Sequence, residues 1–215
     1  AGRGLGFIDI CDQHYDVVLM NPPFGYVPEV AGSYITRLYP EEKNDIYAAF
    51  VARGLELLTV NGLIGQLTSS TCFSLSHLAK FRATRLLGDS QIKLIADLGF
   101  GVLDDAAVNT AAYVVSREQT IRCAVVDLRH AEDKGTALRS ASRDSSGVRL
   151  FALNVFRTLP GQPTAYTLLP PAARLLARGA TLEGCGVDVN VGMITGDDFR
   201  YLRTWWECPQ NSRAE

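Results

Sequence analysis

The 215-residue chain has no C-x-x-C pair, no large excess of either charge and no apolar run long enough to cross a bilayer. Its five cysteines, Cys11, Cys72, Cys123, Cys185 and Cys208, are scattered, and none stands in ligand-like spacing with the three histidines. That pattern excludes a zinc site encoded in local spacing and a disulfide framework. A reduced, metal-free, cytoplasmic protein with no membrane association is the expectation. The balance of 23 acidic against 21 basic residues, a formal charge of -2, excludes a globally basic nucleic-acid binder. Any DNA contact has to rest on a local patch.

What is present fits a folded α/β protein, with 47% apolar and 20% charged residues. Tyr15 to Met20 form a short apolar run stopped by two prolines, the pattern of a strand buried on both faces of a parallel sheet. Apolar residues from Ile46 to Leu58 follow a mostly helical spacing that Asn44 or Asp45 caps, and Asn61-Gly62 breaks it. Leu63 to Thr68 and Ile92 to Leu98 read as further buried strands, with a helix through Leu75, Leu78, Phe81, Leu86 and Leu87 between them. Thr110 to Val115 and Ile121 to Val126 read as two adjacent strands, an antiparallel edge on a doubly wound sheet. The Ser-, Arg-, Asp- and Gly-rich stretch from His130 to Gly147 has the composition of a linker or exposed insertion. Beyond it Val148 to Phe156 is strand-like and Pro171 to Arg178 helix-like.

The chemistry concentrates in Asn21-Pro22-Pro23-Phe24. An Asn/Asp-Pro-Pro-aromatic string arises by chance in well under ~1% of chains this long. The bland reading is a rigid strand-terminating turn, since two prolines fix φ and remove two donors. The functional reading uses the same rigidity. In open α/β sheets ligands bind beyond the carboxyl ends of strands, where this tetrapeptide stands. An exocyclic amine is a poor nucleophile because its lone pair is delocalised into the ring. The Asn21 side-chain oxygen and the Pro22 carbonyl offer one acceptor for each N–H, and Phe24 offers a face to a base taken out of the stack.

On these residues the chain resembles the γ-class adenine-N6 DNA methyltransferases, most closely the PglX-like enzymes of BREX phage defence and the Eco57I-type methyltransferases. Tyr15 to Gly25 is similar to that family's catalytic strand and loop. Asn44 to Phe50, running into Gly54 to Leu58 and Gly62 to Gly65, is similar to the helix and strand that follow. Asp97 to Ala111 resembles the loop facing the flipped base, with Phe100 and Leu103 as its base-pocket residues; Leu103 stands where many relatives carry an aromatic. Gly192 to Glu207 is similar to the opening of the target-recognition region, which makes Thr195, Arg200 and Arg203 DNA-contact candidates.

The resemblance implies the second half of a doubly wound, Rossmann-like methyltransferase sheet over residues 1–130, a linker or insertion over 131–147, and the start of a mixed recognition region over 148–215. It implies S-adenosylmethionine as methyl donor, double-stranded DNA with a flipped adenine as substrate, and possible defence-complex proteins as partners. The family's glycine-rich donor motif precedes the catalytic loop by a long stretch. Gly2-Arg3-Gly4-Leu5-Gly6 has the letters without the preceding strand, so the donor-binding residues are expected outside this chain, which is read as an excerpt inactive alone. Two other readings stay open: an amino-group methyltransferase acting on RNA or on protein glutamine, and a non-catalytic DNA-binding subunit of a defence complex.

Overall fold

Residues 9–103, 108–168, 170–180 and 183–187 are described by a computed structural model. Six strands form one mixed sheet: β1 (Tyr15–Met20), β2 (Leu58–Ser69), β3 (Gln91–Gly99), β4 (Thr110–Ser116), β5 (Arg122–Asp127) and β6 (Val148–Ala152). Their spatial order is β1-β2-β4-β3-β5-β6. β1 and β2 run parallel, as do β3 and β5, while β4 is antiparallel to both β2 and β3, and β6 is antiparallel to β5. The strands read at 110–115 and 121–126 therefore exist but are not neighbours, because β3 lies between them. Each finds its partner through matching apolar faces along β3, a choice that local periodicity does not encode.

Helix α1 (Glu29–Leu38) follows β1, and α2 (Ile46–Glu56) follows α1. Asp45 caps α2 by accepting the Tyr47 N–H. Tyr47, Ala48, Val51 and Leu55 of α2 pack with Ile64 and Val115 of the sheet in the main core, which also takes in Phe73, Phe81, Leu153 and Phe156. A second cluster, Ala96, Leu98, Val126, Leu128 and Ala141, covers the opposite face near β3 and β5. Over β1 that opposite face is open: Val17 is 58% and Leu19 79% exposed. β1 is thus covered on one face only among the described residues, where burial on both was expected.

The stretch expected as a linker or exposed insertion at 131–147 contains a helix. Asp133 caps α3 (Lys134–Asp144), whose Ala141 enters the second cluster, and β6 then joins the sheet. Composition misleads there because a helix needs only a narrow apolar stripe to dock. Two compact units divide instead at residue 177, Ala1–Ala177 and Arg178–Glu215. Helices α4 (Leu153–Thr158) and α5 (Pro170–Arg178) close the first unit's described part, and the second contains a short turn at Glu183–Cys185.

Gly54 in α2 marks the tightest approach of helix to sheet. A Cβ there would stand 2.3 Å from Ile64 Cδ1 and 2.6 Å from Met20 Cε. Gly54→Ala is expected to cost roughly 1–2 kcal/mol despite its better helix propensity, because both side chains must move within a packed core. The denaturation midpoint reads this directly; an unchanged or raised midpoint would show that the helix yields freely.

Candidate active site

β1, β2 and β3 point the same way, so the segments leaving them meet at one edge of the sheet. A cavity of about 660 Å³ lies there. Phe24, Gly25 and Tyr26 after β1, the turn from Ser69 to Leu75 after β2, Phe100 after β3, and Val108 and Asn109 before β4 line it, with Asn44, Asp45 and His77. Position at the carboxyl ends of parallel strands is where α/β sheets bind ligands.

The loop has a defined internal order. Pro22 is buried, Asn21 and Pro23 are exposed, and Phe24 is half-buried against the main core. The Phe24 ring meets Tyr47 edge to face at 6.3 Å, and Tyr47 in turn meets Phe81 at 6.4 Å. The Tyr47 hydroxyl is buried without a protein hydrogen bond, and burial raises its pKa. Asn21 makes no hydrogen bond within the described residues, so its amide is available to a ligand.

Phe100 is presented on a turn between two glycines of positive φ, Gly99 at 66° and Gly101 at 73°. The Gly99 N–H donates to Asp97 Oδ1 at 3.3 Å, Thr110 Oγ1 donates to the Gly99 carbonyl at 3.1 Å, and Lys134 Nζ donates to the Phe100 carbonyl. Asp97 is itself held: the Tyr166 hydroxyl donates to Oδ2 at 2.6 Å and Arg129 Nε lies 3.2 Å from the same oxygen. Burial, then the neighbouring Asp97 carboxylate, raises the Tyr166 pKa.

The structure therefore brings Phe24 and Phe100 to one cavity. Leu103 is half-buried and not among the residues lining that cavity, whereas Phe100 is. Asn21 lines a different hollow, of about 480 Å³, over the open sheet face with Leu19, Gly65, Leu67, Leu94 and Ala112. The loop stands between the two. Thr195, Arg200 and Arg203 lie outside the described residues. Sequence reasoning missed Tyr166, Arg129 and Asp45 as supports of these loops; an acidic residue ending an apolar strand, as Asp97 does, was the available signal for the first two.

The described residues do not make up a site for a sulfonium methyl donor. The hollow beside Asn21 is lined by apolar groups apart from Asn21, Tyr113 and Gln66, and offers no charged side chain for a donor's amino and carboxylate groups. Gln66, only 3% exposed, has both amide atoms without a partner.

The loop, the following helix and strand, and the Phe100 turn occur here in one order. Residues 5–102 match the model of the Eco57I restriction-modification methylase family. The Eco57I-type segment thus spans the Asn21 to Phe24 loop, α1, α2, β2, β3 and Phe100. Two relatives extend the likeness to most of the chain. The adenine-specific methyltransferase PglX of Lacticaseibacillus casei (strain Zhang) is 25% identical over 209 residues, covering 91% of this chain and 17% of that protein. The adenine-specific methyltransferase BrxX of Escherichia coli O9:H4 (strain HS) is 27% identical over 218 residues, covering 94% and 17%. The chain thus spans 17% of the length of these relatives. The fold agrees with a type I restriction-modification system methyltransferase subunit from Streptococcus thermophilus, at a TM-score of 0.51 and 13% identity over 68% of this chain and 36% of that one. Among the described residues no helix is long and apolar enough to cross a membrane, and no group of His, Cys, Asp or Glu is arranged to hold a metal.

Proposed function

We propose that the protein containing this chain is a DNA methyltransferase that methylates the N6 amino group of adenine, in phage defence or restriction–modification, and that this chain supplies the half holding the substrate amine. The observation that carries the reading is the Asn21-Pro22-Pro23-Phe24 loop standing between two hollows, with Phe24 lining one cavity together with Phe100 and Asn21 lining the other. A flipped base enters the cavity and is gripped by Phe24 and Phe100. Its amine reaches the loop, where the Asn21 oxygen and the Pro22 carbonyl accept its two N–H groups and draw the nitrogen out of conjugation. The prolines restrict the loop at Pro22 and Pro23 before substrate arrives, which lessens reorganisation at the moment of reaction. S-adenosylmethionine supplies the methyl group, at residues outside those described. The names of the relatives, adenine-specific methyltransferases, support the same substrate. Thr195, Arg200 and Arg203 are proposed as contacts to the DNA backbone, and other proteins of a defence complex as partners.

Methyl incorporation by the full-length protein into DNA, RNA and protein, followed by nucleoside analysis, tests the reading. Label in N6-methyladenine of DNA is expected. Label confined to RNA or to protein glutamine overturns the substrate, and DNA binding with no transfer overturns the enzyme.

A further inference from the structure

The prolines fix only the upstream part of the amine-binding loop. Downstream, Gly25 adopts φ 105°, a conformation that carries no preference of its own for the direction in which the chain leaves Phe24. Both polar groups of Gly25 are engaged from the start of α2. Its N–H donates to Asp45 Oδ1 at 3.0 Å, and its carbonyl accepts the Ile46 N–H at 2.9 Å. The same Asp45 oxygen accepts the Tyr47 N–H at 3.4 Å, and the Tyr47 ring is the one that Phe24 meets edge to face. One carboxylate oxygen thus ties the backbone after Phe24 to the residue beneath it, across 20 positions of sequence.

Resting on the function proposed above, we infer that Asp45 is a positioning residue for methyl transfer: by holding Gly25 it fixes the downstream end of the loop, and with it the aim of the Pro22 carbonyl and the Phe24 ring. Capping α2 alone does not call for this arrangement, since a cap satisfies helix amides and has no need of a second, distant donor. The cost is visible as well. Burial raises the Asp45 pKa against the lowering effect of the bonds from Gly25 and Tyr47, so the group is kept where its charge is disfavoured.

A substitution that costs the helix little while removing the tether separates the two roles. Glycine is tolerated at a helix N-cap within a few tenths of a kcal/mol of Asp but has no side-chain acceptor, whereas Asn caps as well as Asp and keeps the oxygen. In the full-length protein, Asp45→Gly is expected to lower kcat for DNA methylation roughly 10- to 100-fold with KM for DNA within about twofold. It is expected to speed hydrogen exchange of the Gly25 amide, and Asp45→Asn to restore most of both. An unchanged kcat in Asp45→Gly overturns the proposal. So does a loss of kcat that Asp45→Asn fails to restore, or that is matched by a collapse of the melting midpoint. If the unsubstituted protein transfers no methyl group to DNA, the function proposed above has failed on its own. The tether is then still read by Gly25 exchange, and equal exchange in Asp45→Gly and the parent protein overturns it.

Discussion

Replacing Asn21 by Ala in the full-length protein is expected to lower the turnover number for adenine methylation by about 100- to 1,000-fold, the usual effect of removing a hydrogen-bonding group aimed at the reacting centre. DNA affinity is expected to stay within about threefold, because in the proposed function Phe24 and Phe100 grip the base and other residues hold the backbone. Stability should hardly change. Asn21 is exposed and makes no hydrogen bond among the described residues, so its loss leaves no buried group unsatisfied. That combination, a large kinetic effect at a site of no structural consequence, is what a group acting on substrate predicts. Single-turnover methylation, equilibrium DNA binding and a melting curve on the same variant separate the cases. Equal losses in turnover and affinity point to a structural role for the loop, and undiminished turnover removes Asn21 from the reaction.

Much of the frame around Asn21 was legible because it is local. The apolar run of β1 ending in two prolines, the capped helix α2 and the apolar strands β2 and β3 all follow from periodicity and turn residues. What depends on distant partners was not. Helix α1 went unread, since Gly32 and Ser33 interrupt its pattern and its buried Ile35 docks on Ala49 and Ala52 of α2. β4 carries the same signature whether at an edge or between two strands. Residues 134–144 have the composition of a linker, yet one buried alanine and an Asp133 cap suffice to dock them. At the site, Phe24 and Phe100 line one cavity, and Leu103 is not among the residues lining it. Asp45, read only as a cap, holds Gly25 as well, a contact that no local pattern announces.

The helix expected through Leu75 to Leu87 is present but irregular, and it carries the buried Arg82. After a tight turn at Ser70–Phe73, residues 76–86 are helical without a break, tight at Ser76–Leu78, α-helical at Ala79–Phe81 and wide at Arg82–Leu86. Arg82 is 1% exposed, and its guanidinium donates to four carbonyls: Cys72 at 3.0 Å, Leu75 at 2.7 Å, Gly161 at 2.7 Å and Gln162 at 3.1 Å. Of these carbonyls, that of Leu75 also accepts the Leu78 N–H at 3.1 Å. Those of Gly161 and Gln162 belong to a turn in which Gln162 is held at φ 48°. No carboxylate among the described residues pairs with this cation, and burial lowers its pKa. The turn it anchors leads to Thr164, whose N–H donates to the Phe73 carbonyl at 2.9 Å, and to Tyr166, which holds Asp97 beneath the Phe100 turn.

Arg82→Met keeps the apolar bulk and removes every guanidinium donor from the four carbonyls, of which that of Leu75 keeps the Leu78 N–H. It is expected to cost about 3–5 kcal/mol, at the upper end for a single substitution, since hydrogen bonds to a buried charge contribute more than neutral ones and the orphaned groups stay desolvated. Arg82→Lys should fall between the parent and Met, because an ammonium has three donors and lacks the planar fork that reaches four carbonyls at once. For a domain of this size Arg82→Met corresponds to a melting midpoint lower by about 10 °C. A drop of only a degree or two would mean that water replaces the guanidinium without penalty. The amides from Gly161 to Tyr166 should lose exchange protection before those of β2 and β4, because their anchor is gone while the sheet remains paired. If the sheet loosens first, Arg82 stabilises the core as a whole and the chain from Arg82 through Tyr166 and Asp97 to Phe100 does not transmit order to the cavity.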